Sequence, residues 1–264
     1  MKIKGGKKMN FGTTEAGDAS MNYEWVEKLD TVDGCIVITK NLTEKFINTL
    51  LSLKERRLIL HASCTGYGGT VLEKHLPPYE ETLNKIRLLI DSGFSSERIV
   101  LRVDPIIPTT KGINVFEKVV RKSREIIPDV KRIRISVLDM YPHVRKRFDE
   151  HHFPVLYQGN FQASNGTFEI LDEKIKELKD LYTDISIESC AETKLPSSEA
   201  IGCVSAKDFE ILNLKLSSFD RKGQRKNCLC VCEKKELLTF MYNQTGYNHC
   251  YGCLYCYWKT EKDT

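Results

Sequence analysis

The sequence predicts an α/β protein built on a parallel sheet. Two observations carry that expectation. Between about residues 33 and 190, short β-branched runs alternate with longer stretches whose apolar residues recur every three or four positions, the signature of repeated βαβ units. After about residue 195 the alternation fades into basic, cysteine-rich sequence. The chain accordingly divides into an N-terminal segment, 1–32, with a first strand near Lys2–Lys4. A sheet-bearing body follows at 33–195, then a cysteine-rich extension or cap at 196–264.

Within the body, the expected strands are Cys35–Thr39, Leu58–Ala62, Arg98–Val103, Ile133–Val137 and Ile185–Glu188. The expected helices are Asn41–Leu53, Tyr79–Ser92, Val115–Ile127 and Glu173–Leu181. Pro77 and Pro78 precede the second of these and Pro128 follows the third, marking a start and a stop. Such units wind either into a barrel-like sheet or into a doubly wound one, and both place function at the C-terminal ends of strands. Those ends carry Lys40 and Asn41, then Cys64 and Thr65, then Arg102 and Asp104, then Ser136 and Asp139, and finally Glu188, Cys190 and Glu192. One polar strand end is where a chain meets water. Five in succession that mix Lys, Arg, Asp, Glu and Cys read as the lining of a cavity.

Bulk properties exclude several classes. The 264 residues are 41% hydrophobic and 29% charged, ordinary for a soluble globular chain. No apolar run is long enough for a membrane helix. The lysine-rich start MKIKGGKKMN has no apolar stretch behind it and is not a secretory signal, so a cytoplasmic location without membrane attachment is expected. A net charge of +4 is too mild to argue for nucleic acid by itself. The run Arg221, Lys222, Arg225, Lys226 is denser. It reads as a solvated loop or as a contact for phosphate or carboxylate.

Ten cysteines in a chain with no secretory signal point to metal or redox chemistry, not to a disulfide framework. Cys35 and Cys64 lie apart in the first half and are explained as small buried hydrophobes. The other eight fall in the last third. Cys250, Cys253 and Cys256 place three thiols in seven residues around Gly252. This is the opening of the bacterial ferredoxin spacing, but the position of the fourth ligand is Thr260. A three-thiolate [4Fe–4S] cluster leaves one iron open, and S-adenosylmethionine bound there starts radical chemistry. Zinc is the competing reading, with Cys228 and Cys230 joining Cys250 and Cys253. That choice leaves Cys256 unused and relies on a less usual C-x-C half-site. Cys190, Cys203, Cys228 and Cys230 make a second candidate group, for a second iron–sulfur cluster or zinc, with Cys232 and His249 as competitors for a position.

The ordered motifs DGCIVITKN (33–41), TGYG (65–68) with Leu72, Glu73, Pro77 and Pro78, RIVLRVDPII (98–107), ISVLDMY (135–141) and IESCAE (187–192) resemble a known family. So do Gly202 with Cys203, GQRK (223–226) with Cys228 and Cys230, and Tyr247 and Asn248 leading into GCLYCY (252–257). The chain resembles the bacterial domain-of-unknown-function 1848 family, a rearranged relative of radical S-adenosylmethionine enzymes of the spore photoproduct lyase type. The resemblance covers about residues 33–258 and implies a partial (β/α) barrel of the radical SAM type whose cluster-binding loop has moved to the C-terminal end. It also supports Cys190, Cys203, Cys228 and Cys230 as a shared group. Two features depart from the family. Its first two cluster cysteines are separated by three residues, here by two, and Gly12–Gly17 reads as an insert.

The expected function is a radical S-adenosylmethionine enzyme, with Cys250, Cys253 and Cys256 holding the cluster. Lys40, Thr65, Glu73, Arg102, Asp104, Ser136, Asp139 and Glu188 are candidates for the barrel mouth. Arg102 and Lys40 suit carboxylate or phosphate, and Asp104 and Glu188 suit ribose hydroxyls or an ammonium. For each, a structural ion pair inside the barrel is the plain alternative. Tyr141 is a candidate hydrogen donor or a packing residue. A nucleobase in DNA or RNA is the favoured substrate, and flavodoxin or ferredoxin the expected electron donor. A zinc-stabilised nucleic-acid-binding protein without catalysis, and a cluster used only for electron transfer, are the alternatives.

Overall fold

A computed structural model describes residues 10–154, 157–190, 192–216, 228–239 and 250–258. The expected strand at Lys2–Lys4, the basic run at 221–226 and His249 lie outside the described residues. The elements in chain order are β1 (Phe11–Thr13), α1 (Glu24–Lys28), β2 (Gly34–Thr39), α2 (Glu44–Ser52), β3 (Leu58–Ser63) and α3 (Tyr79–Asp91). After these come β4 (Ile99–Ile106), α4 (Thr110–Ile126), β5 (Arg132–Val137), α5 (Pro142–Glu150), α6 (Asn165–Leu181) and β6 (Ser186–Ser189). The chain then forms β7 (Glu199–Ala200), α7 (Ala206–Ile211) and β8 (Lys234–Glu236).

The eight strands form one parallel sheet in the order β7-β6-β5-β4-β3-β2-β1-β8. From β1 to β7, neighbours in sequence are neighbours in space. A doubly wound sheet reverses its order at a switch point; this one does not. It is wound in one direction, as barrel sheets are.

Side-chain alternation explains the layering. One face of the sheet presents Cys35, Val37, Leu58, Leu60, Ala62, Leu101, Val103, Ile133, Ile135 and Ile187 to apolar stripes of α2, α3, α4 and α6. These helices begin at side-chain caps where the sequence supplies them. Thr43 accepts from the Phe46 N–H at 3.2 Å, Thr109 from Gly112 at 3.0 Å and Ser164 from Thr167 at 3.3 Å, satisfying otherwise unpaired helix-start amides. The opposite, inner face is apolar where Ile36, Ile59 and Val100 meet Phe11, Val204, Phe209 and Leu212. It turns polar at His61, Ser63, Arg102, Arg132, Arg134 and Glu188. No helix among the described residues is long and apolar enough to cross a membrane.

Three regions differ from the sequence reading. Gly12–Gly17, read as an insert, instead begins inside β1, which pairs with both β2 and β8. Thr14 beyond it accepts from the Ile38 N–H at 2.8 Å. Strand β4 does not stop at Val103 but continues through Pro105 to Ile106 across a register shift, the kind of irregularity that accommodates proline in a sheet. Helix α5 lies where no helix is predicted; its polar composition hides an apolar pair, Val144 and Phe148, one turn apart.

Candidate functional site

The cysteine loop 250–258 sits over the C-terminal ends of β2 to β5. Cys253 and Tyr255 are buried with Tyr67, Leu72 and Leu76 from the loop after β3, Ile107 after β4, Leu138 and Met140 after β5, and Val144 and Phe148 of α5. The Leu254 N–H donates to the Leu72 carbonyl at 3.1 Å, and the Cys256 N–H to Cys253 at 3.1 Å, closing a turn between two of the thiols. Gly252 enters that turn at φ +66°, a conformation that costs glycine least. Helix α5 clamps the loop from the side. Arg147 donates to the carbonyls of Leu254 (3.3 Å), Cys256 (2.7 Å) and Trp258 (2.6 Å), and His143 Nε2 lies 2.7 Å from the Tyr257 carbonyl. On the other side Tyr251 bonds Ser20 at 3.0 Å. Ser20 is fixed by buried Asp18, which also accepts from Thr39 Oγ1 and the Lys40 N–H, both at 2.7 Å.

Four of the predicted residues meet beneath this loop. Glu73, only 4% exposed, accepts from Thr65 Oγ1 at 2.7 Å and from Lys40 Nζ at 3.1 Å. The Tyr255 hydroxyl donates to the same carboxylate. The Cys253 sulfur lies 4.0 Å from Glu73 Oε1, and Lys40 Nζ is 2.7 Å from the Tyr255 oxygen. Burial disfavours the Lys40 ammonium, but Glu73, Cys253 and Asp104 outweigh it and its pKa rises. Burial pushes the Cys253 thiol up to about 12, with Lys40 opposing and Glu73 reinforcing the shift. Burial likewise raises Cys256, which also feels the charge of Cys250. Tyr255 rises for the same first reason and then because of Glu73.

Other candidates are placed differently. Arg102 and Asp104, two apart on one face of β4, pair with each other; Nε lies 3.2 and 3.1 Å from the two carboxylate oxygens and Nη2 2.5 Å from one. Glu188 is fully buried and accepts from Arg132 Nε at 2.7 Å and Arg134 Nη2 at 2.8 Å, while Arg132 also reaches buried Asp208 at 2.8 Å. Ser136 is half-buried on the inner face, and Asp139 follows β5, 3.4 Å from the Gln162 amide. Tyr141 is exposed. Its ring meets Phe161 edge-on at 5.0 Å and lies 6.4 Å from Tyr257, whose ring is tilted against Trp258 at 4.8 Å. The result is a cluster of exposed aromatic rings that begins one residue after Cys256.

The second thiol group comes together from three segments. Cys190 at the end of β6 lies 3.7 Å from Cys203 after β7. The backbone of Leu229 and Cys230 lies against Gly202, the residue before Cys203. Cys232 instead joins the apolar cluster of Phe11, Ile36 and Val100. Among the described residues, no three His, Cys, Asp or Glu side chains are already set around one metal-sized centre.

A family model described as a domain of unknown function (DUF1848) matches residues 15–258. The chain belongs to the DUF1848 family. The DUF1848 match begins two residues after β1, takes in the other seven strands and includes both thiol groups. No curated protein matches the chain.

The residues of this DUF1848 protein that sequence reading missed are Asp18, His143 and Arg147. All three bind backbone groups, which carry no sequence signature. The one signal available was the Val144–Phe148 spacing, which would have revealed α5.

Proposed function

We propose that this protein is a radical S-adenosylmethionine enzyme, a partial barrel whose cluster loop is carried by Cys250, Cys253 and Cys256. The supporting observation is that this loop docks on the C-terminal ends of the parallel strands, where Lys40, Thr65 and Glu73 gather under Cys253. The donor set fits the cluster. It has three thiols, two joined by a backbone turn, with a lysine ammonium beside the buried Cys253 to offset anionic charge. When bound, a [4Fe–4S] cluster with one iron lacking a protein ligand supplies reductive cleavage of S-adenosylmethionine.

The chain's own residues prepare that site. Cys253 and Cys256 are protonated until a metal displaces their protons. Arg147 and His143 fix the loop through its carbonyls. Glu73 holds Lys40 and Tyr255 in place below the sulfurs. The exposed rings of Tyr141, Phe161, Tyr257 and Trp258 offer individual aromatic faces to a planar substrate, which suits a nucleobase in DNA or RNA. In this geometry Tyr141 serves as a platform. A small electron carrier such as flavodoxin or ferredoxin would be the reductant, and the free cysteines suit the cytoplasm.

The test is anaerobic purification followed by incubation with S-adenosylmethionine and dithionite. Brown protein with several irons per chain, forming 5′-deoxyadenosine, is expected, and Cys253→Ala should abolish the product. Colourless protein that holds only zinc, or full cleavage by Cys253→Ala, would refute the assignment.

A further inference from the structure

The inner face of the sheet carries polar groups that the cysteine loop does not use. Strand register sets them side by side. His61 pairs with Val100 and Val100 with Arg132. Two residues further along, Ser63 pairs with Arg102, Arg102 with Arg134 and Arg134 with Glu188. Neighbouring strands lie about 4.8 Å apart, and residues i and i+2 of one face about 6.6 Å apart. His61, Ser63, Arg102, Arg134 and Ser136 therefore form one patch across β3, β4 and β5. Below it, Ile59 and Val100 meet Phe11, Val204 and Phe209 and close the floor. Above it the recess is open. Arg102, Asp104 and Ser136 share this inner face, and all three are partly exposed.

The cations of the recess are already taken. Arg102 holds Asp104, Arg132 holds Glu188 and Asp208, and Arg134 holds Glu188. Lys40 at the end of β2 holds Glu73. No inner-face cation among the described residues is left without a carboxylate. Arg102 and Lys40 suit carboxylate or phosphate in the sequence, but in the fold each has its anion within the chain.

Three uncharged groups are left over. His61 is 2% exposed, and its buried Nε2 has no hydrogen-bond partner. A ring nitrogen hidden from water in this way costs stability until something bonds it. Burial first, and then the charges of Arg134, Arg102 and Arg132, hold the pKa of His61 well below the usual imidazole range, so the ring is neutral. The Ser63 and Ser136 hydroxyls bond no other described residue. A neutral imidazole offers one donor and one acceptor, and a hydroxyl can do either.

We propose that this recess takes an uncharged hydrogen-bonding group of the substrate, of the amide or lactam class, with His61, Ser63 and Ser136 as its partners. Asp104 keeps anions out by holding Arg102. An amide presents a donor edge and an acceptor edge, matching such partners. A carboxylate or phosphate would have to displace Asp104 to reach Arg102, or else bury an unpaired charge. Calling the bound molecule the substrate rests on the enzyme reading above; the binding itself does not.

Acetamide and acetate, which share one shape and differ in charge, are the probes. The readout is the assigned imidazole nitrogen resonances of the full chain labelled with ¹⁵N-histidine. Acetamide should shift the His61 Nε2 signal saturably, with a dissociation constant at least about tenfold below that of acetate. Ser63→Ala should weaken acetamide by about three- to tenfold, the loss of one hydrogen bond. Asp104→Asn frees Arg102 and should strengthen acetate at least about tenfold. Three results would overturn the proposal: a His61 signal that acetamide never moves, acetate bound by the wild type as tightly as acetamide, or Asp104→Asn without a gain for acetate. Acetamide binding by protein that forms no 5′-deoxyadenosine removes the radical reading alone. 5′-Deoxyadenosine formed by protein that does not bind acetamide removes this proposal alone.

Discussion

Glu188 and Glu73 are both buried carboxylates that accept from cations, and they sit in opposite surroundings. Glu188 has Arg132 and Arg134 on one side and Asp208 beyond them, every member of the set lying on the inner face or on α7. All its neighbours belong to the fixed sheet and its cover. Glu73 bonds one cation, one hydroxyl and one phenol, and the phenol and nearby thiol arrive on the cysteine loop. A carboxylate paired with arginine on a strand is thus a structural brace, whereas one that joins a strand end to a loop is part of a site. Ion pairing alone does not separate the two cases; what the partners are attached to does.

That distinction can be broken by substitution. Glu188→Gln leaves two buried guanidinium groups under-compensated and should cost about 3–5 kcal/mol of stability, read by urea denaturation. Iron content and cleavage of S-adenosylmethionine should persist in whatever fraction remains folded. Loss of iron from well-folded protein would erase the distinction. Glu73→Gln should cost less, about 2 kcal/mol, because Lys40 is part-exposed and keeps the Tyr255 oxygen as a partner. Yet it should lower 5′-deoxyadenosine formation at least tenfold at unchanged iron content. Unaltered turnover would show that the hub merely packs.

The smallest effect is in acid. Burial works to raise the Glu188 pKa, but Arg132 and Arg134 prevail and hold it below the ordinary 4.5. A lowered carboxylate contributes stability that is complete above its unfolded pKa and is lost as pH falls through the folded value. The stability gap between wild type and Glu188→Gln should therefore be constant near neutrality and shrink on acidification below pH 4.5. A gap that does not change with pH would mean the network tolerates a neutral Glu188.

Much of this was legible in the sequence. The interior strands were, because a parallel strand buried on both faces is written in β-branched residues. Strands β1, β7 and β8 were not. Lys234–Glu236 is exposed and joins the sheet through its backbone, so no apolar pattern marks it. Lys40, Thr65, Glu73 and Cys253 could be picked out as polar residues at strand ends and motifs. Which of the polar strand-end residues brace the fold and which reach the loop could not, because Arg102 with Asp104 and Arg134 with Glu188 carry the same charges as a binding site would. The 250–256 thiols were legible from spacing alone. The other four needed the fold, since β6, β7 and the 228–232 segment bring together residues up to forty positions apart.

The strand order has a consequence for biogenesis. β7 and β8 are consecutive strands in sequence but lie at opposite edges of the sheet. During synthesis, β1 to β6 and the helices between them leave the ribosome before Cys228, and well before Cys250. β1 to β7 are therefore complete while Cys228, Cys230 and the 250–256 thiols are still being made. The loop 250–258 is then the last described segment to reach the folded body, a strap laid over strand ends already in place.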